Sequence, residues 1–95
     1  MIERHITFNV HAGKEAEFEQ FFAEQYRPPM SASAGFVRVE LLRDASSATR
    51  YVMTLRWDDA DAAAGWRTSP VHEALQPALT ALFSSNEIQV YDVID

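Results

Sequence analysis

The stretch from Tyr51 to Leu82, YVMTLRWDDADAAAGWRTSPVHEALQPALTAL, constrains the fold more than any other part of the chain. It reads as a strand running straight into a two-part helix. Tyr51, Met53, Leu55 and Trp57 alternate with Val52, Thr54 and Arg56, the period-2 pattern of a sheet strand. Asp58 or Asp59 can cap the helix that follows, with Asp61 adding negative charge to its first turn. A second start comes at Ser69-Pro70, where Ser caps and Pro suits the first helical position. Trp66 and His72 flank that junction, so any chemistry is expected between this strand and this helix.

Such a strand must be buried, and the chain is short. Its 95 residues suit one domain, expected to span 1–95. A chain of this size buries only roughly 60–65% of the surface its unfolded form exposes. Yet 47% of the residues are hydrophobic and 12% aromatic, a surplus that favours self-association. The net charge of −6, from 14 acidic and 8 basic residues, argues against a nucleic-acid partner, because phosphate binding needs clustered Lys and Arg. With no cysteine, the chain has no disulfide, thiolate metal site or Cys nucleophile. The start, MIERHITFNV, lacks an apolar signal core, and no run is long enough to span a bilayer. A cytoplasmic protein with no membrane partner is expected.

Taken in order, Ile2 to His11 reads as a first strand, with Ile6, Phe8 and Val10 on one face and His5, Thr7, Asn9 and His11 on the other. From Lys14 to about Tyr26 the spacing turns helical, with Phe18, Phe21, Phe22 and Tyr26 on one stripe. Arg27-Pro28-Pro29 is expected to stop that helix, and Met30 to Gly35 to form a loop. Phe36–Arg43 and Arg50–Trp57 read as a hairpin around the turn residues Asp44 to Thr49. Consistent faces set Val37, Val39 and Leu41 beside Tyr51, Met53 and Leu55. Arg38, Glu40, Thr54 and Arg56 then share the opposite face, which is expected either to face water or to meet a second copy of the chain, with Arg38, Glu40 and Arg56 paired across strands or subunits. Ser84-Ser85-Asn86 reads as a break before a last strand from Glu87 to Ile94. The order strand, helix, strand, strand, helix, strand predicts an α+β, ferredoxin-like βαββαβ antiparallel sheet with both helices on one face.

That order and several of its pieces resemble the antibiotic biosynthesis monooxygenase family, within the dimeric α+β barrel superfamily. The pieces are FNVHAGKEAEFEQFF, GFVRVELLRD, RYVMTLRWDDADAAAGW, SPVHEAL and VYDV. The resemblance implies a homodimer whose sheets pack into a shared barrel, each subunit keeping a pocket between its own sheet and helices. The family's oxygenase branch oxidises quinols and polyphenols with molecular oxygen and no cofactor, the substrate being the electron source. Trp66 matches that branch, and His72 stands where its polyketide oxygenases have Tyr; their Asn falls on Ala62 and their Arg near Asn86. A haem-degrading branch uses a His ten residues after the Trp, here Gln76, and an Asn on the first strand, here Ile6.

Read from the residues, His72 is the candidate base, since an imidazole near neutral pKa suits removal of a phenolic proton. On a continuous helix it lies about 20° from Leu79, bordering the inward stripe. Trp66 is the candidate stacking wall, and Tyr51, Phe22, Met53 and Phe8 are candidate contacts for a small aromatic molecule. His5, Asn9 and His11 share a strand face but lack a carboxylate at ligand spacing, so no metal site is expected. Three functions follow. The first is a cofactor-independent monooxygenase acting on a small quinol, phenol or polyketide-like aromatic. The second is a non-enzymatic dimer that binds a small ligand or serves as an accessory subunit. The third, ranked last, is a haem-binding or haem-degrading protein.

Overall fold

The computed structural model describes residues Met1–Asp95. Four strands form one antiparallel sheet in the order β2-β3-β1-β4, where β1 is Ile2–Val10, β2 Phe36–Arg43, β3 Arg50–Trp57 and β4 Phe83–Asp92. The helices are α1 (Glu15–Phe21), a π-helical segment (Phe22–Tyr26), α2 (Arg27–Ser31), α3 (Ala60–Arg67) and α4 (Pro70–Thr80). This is the expected α+β, ferredoxin-like arrangement. None of these helices is long and apolar enough to cross a membrane.

Alternation in the central pair builds the core. Arg4, Ile6 and Phe8 on β1 lie opposite Leu55, Met53 and Tyr51 on β3. All six are buried, and helix residues Phe18, Phe21, Phe22, Tyr26, Trp66 and Leu79 close over the same face. Helices therefore cover one side of the sheet and leave the other bare. On that bare side the neighbours of Arg4 point outward, Glu3 first among them.

The structure departs from the sequence expectation at three places. The chain does not leave the helical path at Arg27-Pro28-Pro29 but continues to Ser31, because Pro28 and Pro29 fall in the first turn of α2. Neither proline has an N–H for the carbonyls of Glu24 and Gln25, four residues back. The wider π turn accommodates this, with the Arg27 N–H donating to the Phe22 carbonyl instead. Next, the β2–β3 register shifts between Phe36 and Arg38, so Val37 is extruded to the surface and Phe36 takes its place against Trp57. An irregularity of this kind leaves no trace in periodicity. Finally, β4 begins at Phe83 rather than Glu87. Ser84 Oγ donates to the Asn9 carbonyl at 3.1 Å and Asn9 Nδ2 donates to Ser85 Oγ at 2.9 Å, so the hydroxyls expected to break the strand bind it to β1.

Gly35 ties β2 to α3. Its φ is +78°, and a Cβ there would lie 2.4 Å from Ala62 Cβ. Its carbonyl accepts from the Asp58 N–H at 2.8 Å. Ala62 thus packs against this turn instead of facing the sheet.

Candidate functional site: an aromatic cavity under helix α4

A cavity of about 130 Å³ lies between the sheet and helices α3 and α4. Arg4, Ile6 and Phe8 of β1 form its floor; Tyr26, Trp66, His72 and Gln76 stand above it. Arg67, Asn86 and Ile88 line it while remaining exposed, and so form its mouth.

One hydroxyl organises the upper wall. Ser69 caps α4 by accepting the His72 N–H at 3.2 Å, and donates its own proton to the Trp66 carbonyl at 2.8 Å. The end of α3 and the start of α4 are therefore locked together, with Trp66 and His72 side by side. Their rings meet edge to face, centroids 5.3 Å apart, and Tyr26 from the π segment meets both, at 5.7 Å and 6.1 Å. The wide π turn is what delivers Tyr26 to this position. Asp59 caps α3 by accepting the Ala62 N–H at 2.8 Å, which sets the angle at which α3 leaves the sheet.

Electrostatics favour a neutral imidazole. Burial pulls His72 below its ordinary pKa; the Arg67 carbonyl opposes this, and the charges of Arg4 and Arg67 reinforce it. The side-chain nitrogen of Gln76 lies 3.1 Å from His72 Nε2 and holds the ring. Burial raises the Tyr26 phenol, which therefore stays protonated. A neutral base beside two aromatic rings, above a floor of Arg4, Ile6 and Phe8, can take a proton from an aromatic hydroxyl.

The six residues singled out from sequence divide. His72, Trp66 and Phe8 line this cavity. Phe22 and Met53 line a separate apolar crevice of only about 10 Å³, and Phe22 also borders a surface groove beside Tyr51. Tyr51 lies away from both the cavity and the crevice: it is 1% exposed, and its hydroxyl donates to Glu19 at 2.5 Å, because pairing opposite Phe8 at the α1 end of the sheet points it toward that helix. Arg4, Arg67, Tyr26 and Gln76 were not picked out from sequence as site residues. For Arg4 the signal existed, since it continues the Ile6, Phe8 face two residues back. Ala62, at the position of the family's Asn, does not line the cavity; Asn86 does.

The outer face of the sheet holds a different cluster. Glu3 Oε1 accepts from Arg56 Nε at 2.8 Å and from Arg38 Nη2 at 3.2 Å, and its Oε2 pairs with His5 Nε2 at 2.7 Å. The network expected around Glu40 is thus centred on Glu3. The Glu40 side chain is 58% exposed and holds only Arg38, because Glu3 on the central strand lies within reach of both arginines.

This fold and cavity define a ferredoxin-like domain with an aromatic-walled cavity beneath a proline-started helix. Residues 1–78 match the family model for antibiotic biosynthesis monooxygenases, and the chain belongs to that family. It is similar to SnoaB, a cofactor-independent oxygenase from Streptomyces nogalater, at 31% identity and TM-score 0.89, covering 99% of this chain and 93% of that one. Two structures described as antibiotic biosynthesis monooxygenases share the fold. The one from Nitrosomonas europaea has 14% identity and TM-score 0.88, with 100% of each chain covered. The one from Deinococcus radiodurans has 20% identity and TM-score 0.88, covering 100% of this chain and 94% of that one. No curated protein sequence matches the chain.

Proposed function

We propose that the protein is a cofactor-independent monooxygenase that oxidises a small phenol or quinol with molecular oxygen. The observation that carries this reading is His72, half-buried, kept neutral and packed against Trp66 and Tyr26 on the wall of a ring-sized cavity. Similarity to SnoaB, named as a cofactor-independent oxygenase, supports the same chemistry. His72 removes the phenolic proton, and the electron-rich phenolate reacts with O2. For a simple phenol, a ring C–H becomes C=O, the phenolic carbon becomes the second C=O, and the other oxygen atom leaves as water. All four electrons come from the substrate. An apolar cavity of roughly 150 Å³ holds one benzene ring, so about 130 Å³ suits a single-ring substrate.

The same reading includes a homodimer. Val37, Leu42, Ile88, Val90 and Tyr91 are large, apolar and exposed on the sheet, and a second copy would cover part of this surface. Sedimentation at micromolar concentration as a species of twice 10.7 kDa is expected, and a monomer there contradicts this part.

Oxygen consumption with a panel of hydroquinones and substituted phenols, metal removed, tests the chemistry. Wild-type turnover is expected to fall by roughly 10²–10⁴-fold in His72→Ala, the usual contribution of a general base. Turnover that survives the substitution removes His72 from the mechanism. Absence of turnover across the panel moves a ligand-binding role for the same cavity into first place.

A further inference from the structure

The chain is acidic, yet its cavity is not. Among the residues lining it there is no Asp or Glu, while two arginines, Arg4 and Arg67, are present. Neither arginine forms a salt bridge, although Arg38, Arg43, Arg50 and Arg56 all do. Arg4 is only 6% exposed and is the one charged residue buried in the protein. A guanidinium held out of water without a counter-charge is costly, and such groups are ordinarily paired.

The unpartnered polar atoms converge on the same place. Four buried side-chain nitrogens have no partner at full hydrogen-bond geometry, and three of them are Arg4 Nε, Trp66 Nε1, which has only the Tyr26 hydroxyl nearby, and His72 Nδ1, which has only the Arg67 carbonyl nearby. All three residues line this cavity. Arginine Nε and indole Nε1 can only donate. A buried donor without an acceptor, Arg4 Nε, beside a second arginine that forms no salt bridge, describes the complement of an anion.

We propose that Arg4 is a specificity-determining residue, and that with Arg67 and Trp66 it seats the carboxylate of a single-ring aromatic acid, such as a hydroxybenzoate. The carboxylate meets Arg4 on the floor, with the ring under Trp66, Tyr26 and His72 and the phenolic hydroxyl left for His72. A charge-assisted seat of this kind binds an anion far better than its neutral isostere. The inference rests on the reading that this cavity is the ligand site, but binding alone reports on it.

Titration of 4-hydroxybenzoate and of neutral 4-hydroxybenzamide, followed by tryptophan fluorescence and calorimetry, tests the seat. In wild type the acid is expected to bind roughly 10- to 100-fold more tightly than the amide, the range for a hydrogen bond to a charged group. That preference should shrink to about unity in Arg4→Gln and partly in Arg67→Gln, and should weaken as chloride rises. Equal binding of acid and amide, no binding of either at millimolar concentration, or a preference untouched in Arg4→Gln overturns the proposal. If Arg4→Gln does not fold, the acid-to-amide ratio of wild type and its reduction in Arg67→Gln decide the matter. Selective binding of the acid without oxygen consumption would uphold the seat and overturn the oxygenase reading; turnover of neutral phenols without acid selectivity would do the reverse.

Discussion

Glu3 and Arg4 are adjacent on β1 and face opposite ways, and the two sides of the sheet treat their charges oppositely. Glu3, with its side chain 15% exposed, gathers Arg56, Arg38 and His5 around one carboxylate. The hydrogen bond from His5 and the nearby arginines hold Glu3 below the usual carboxylate range, although its partial burial works the other way. Arg4, more deeply buried, has no partner at all, and desolvation with the repulsion of Arg67 lowers its pKa. A cluster whose every charge is answered belongs to the architecture. A buried charge left unanswered on the wall of a cavity points to something that arrives from outside.

Substituting the two neighbours should therefore move stability in opposite directions. Glu3→Gln leaves Arg56 and Arg38 facing a neutral amide and is expected to destabilise the fold by about 1–3 kcal/mol in urea denaturation at pH 7. The sign with pH follows from the depressed Glu3 pKa. Its stabilisation is present above the unfolded value of 4.5 and is lost as pH falls through the lower folded value, so the wild-type advantage over Glu3→Gln should vanish in acid. Arg4→Met keeps the bulk and removes the desolvated cation, and is expected to leave the fold as stable as wild type or more stable by about 1 kcal/mol. Destabilisation by Arg4→Met comparable to that of Glu3→Gln would mean that Arg4 is a structural charge after all.

Much of this contrast was legible in the sequence, but unevenly. The strands announced themselves because one face is apolar and the other is not, and the cap at Ser69-Pro70 located His72 relative to Trp66. Features that depend on distant partners were hidden. The Tyr51 hydroxyl is claimed by Glu19, 32 residues away, and no local pattern distinguishes a tyrosine so engaged from one facing a ligand. The extrusion of Val37 and the π turn at Phe22–Tyr26 are one-residue adjustments that hydrophobic periodicity averages away. Arg4 was overlooked for a different reason. Its position on the inward face was readable, but an arginine on β1 is expected to find a carboxylate, and only the folded chain reveals that it is buried without one.

The smallest of the expected effects concerns the base itself. Burial, with Arg4 and Arg67 close by, lowers the folded-state pKa of His72 below 6.5, so over the interval between the two values the unfolded chain binds more of the proton. Stability should then rise with pH through that interval and be flat above it, with a slope bounded by about 1.4 kcal/mol per pH unit for a single proton. In His72→Gln the slope should disappear from the difference between pH 5 and pH 7 while the remaining acid sensitivity, due to carboxylates, persists. Replacing Arg4 by Met should narrow the interval from the other side, because one source of repulsion is gone and the imidazole becomes easier to protonate. An anionic ligand seated beside Arg4 would act in the same direction, raising the pKa of the base just as the substrate binds. The His72 slope measured with and without 4-hydroxybenzoate thus links the two faces of the comparison: burial, aided by the unpaired arginine, keeps the base neutral, and the arginine's share is removed when its counter-charge arrives. A slope unchanged by both Arg4→Met and the ligand would separate the two residues and leave His72 governed by burial alone.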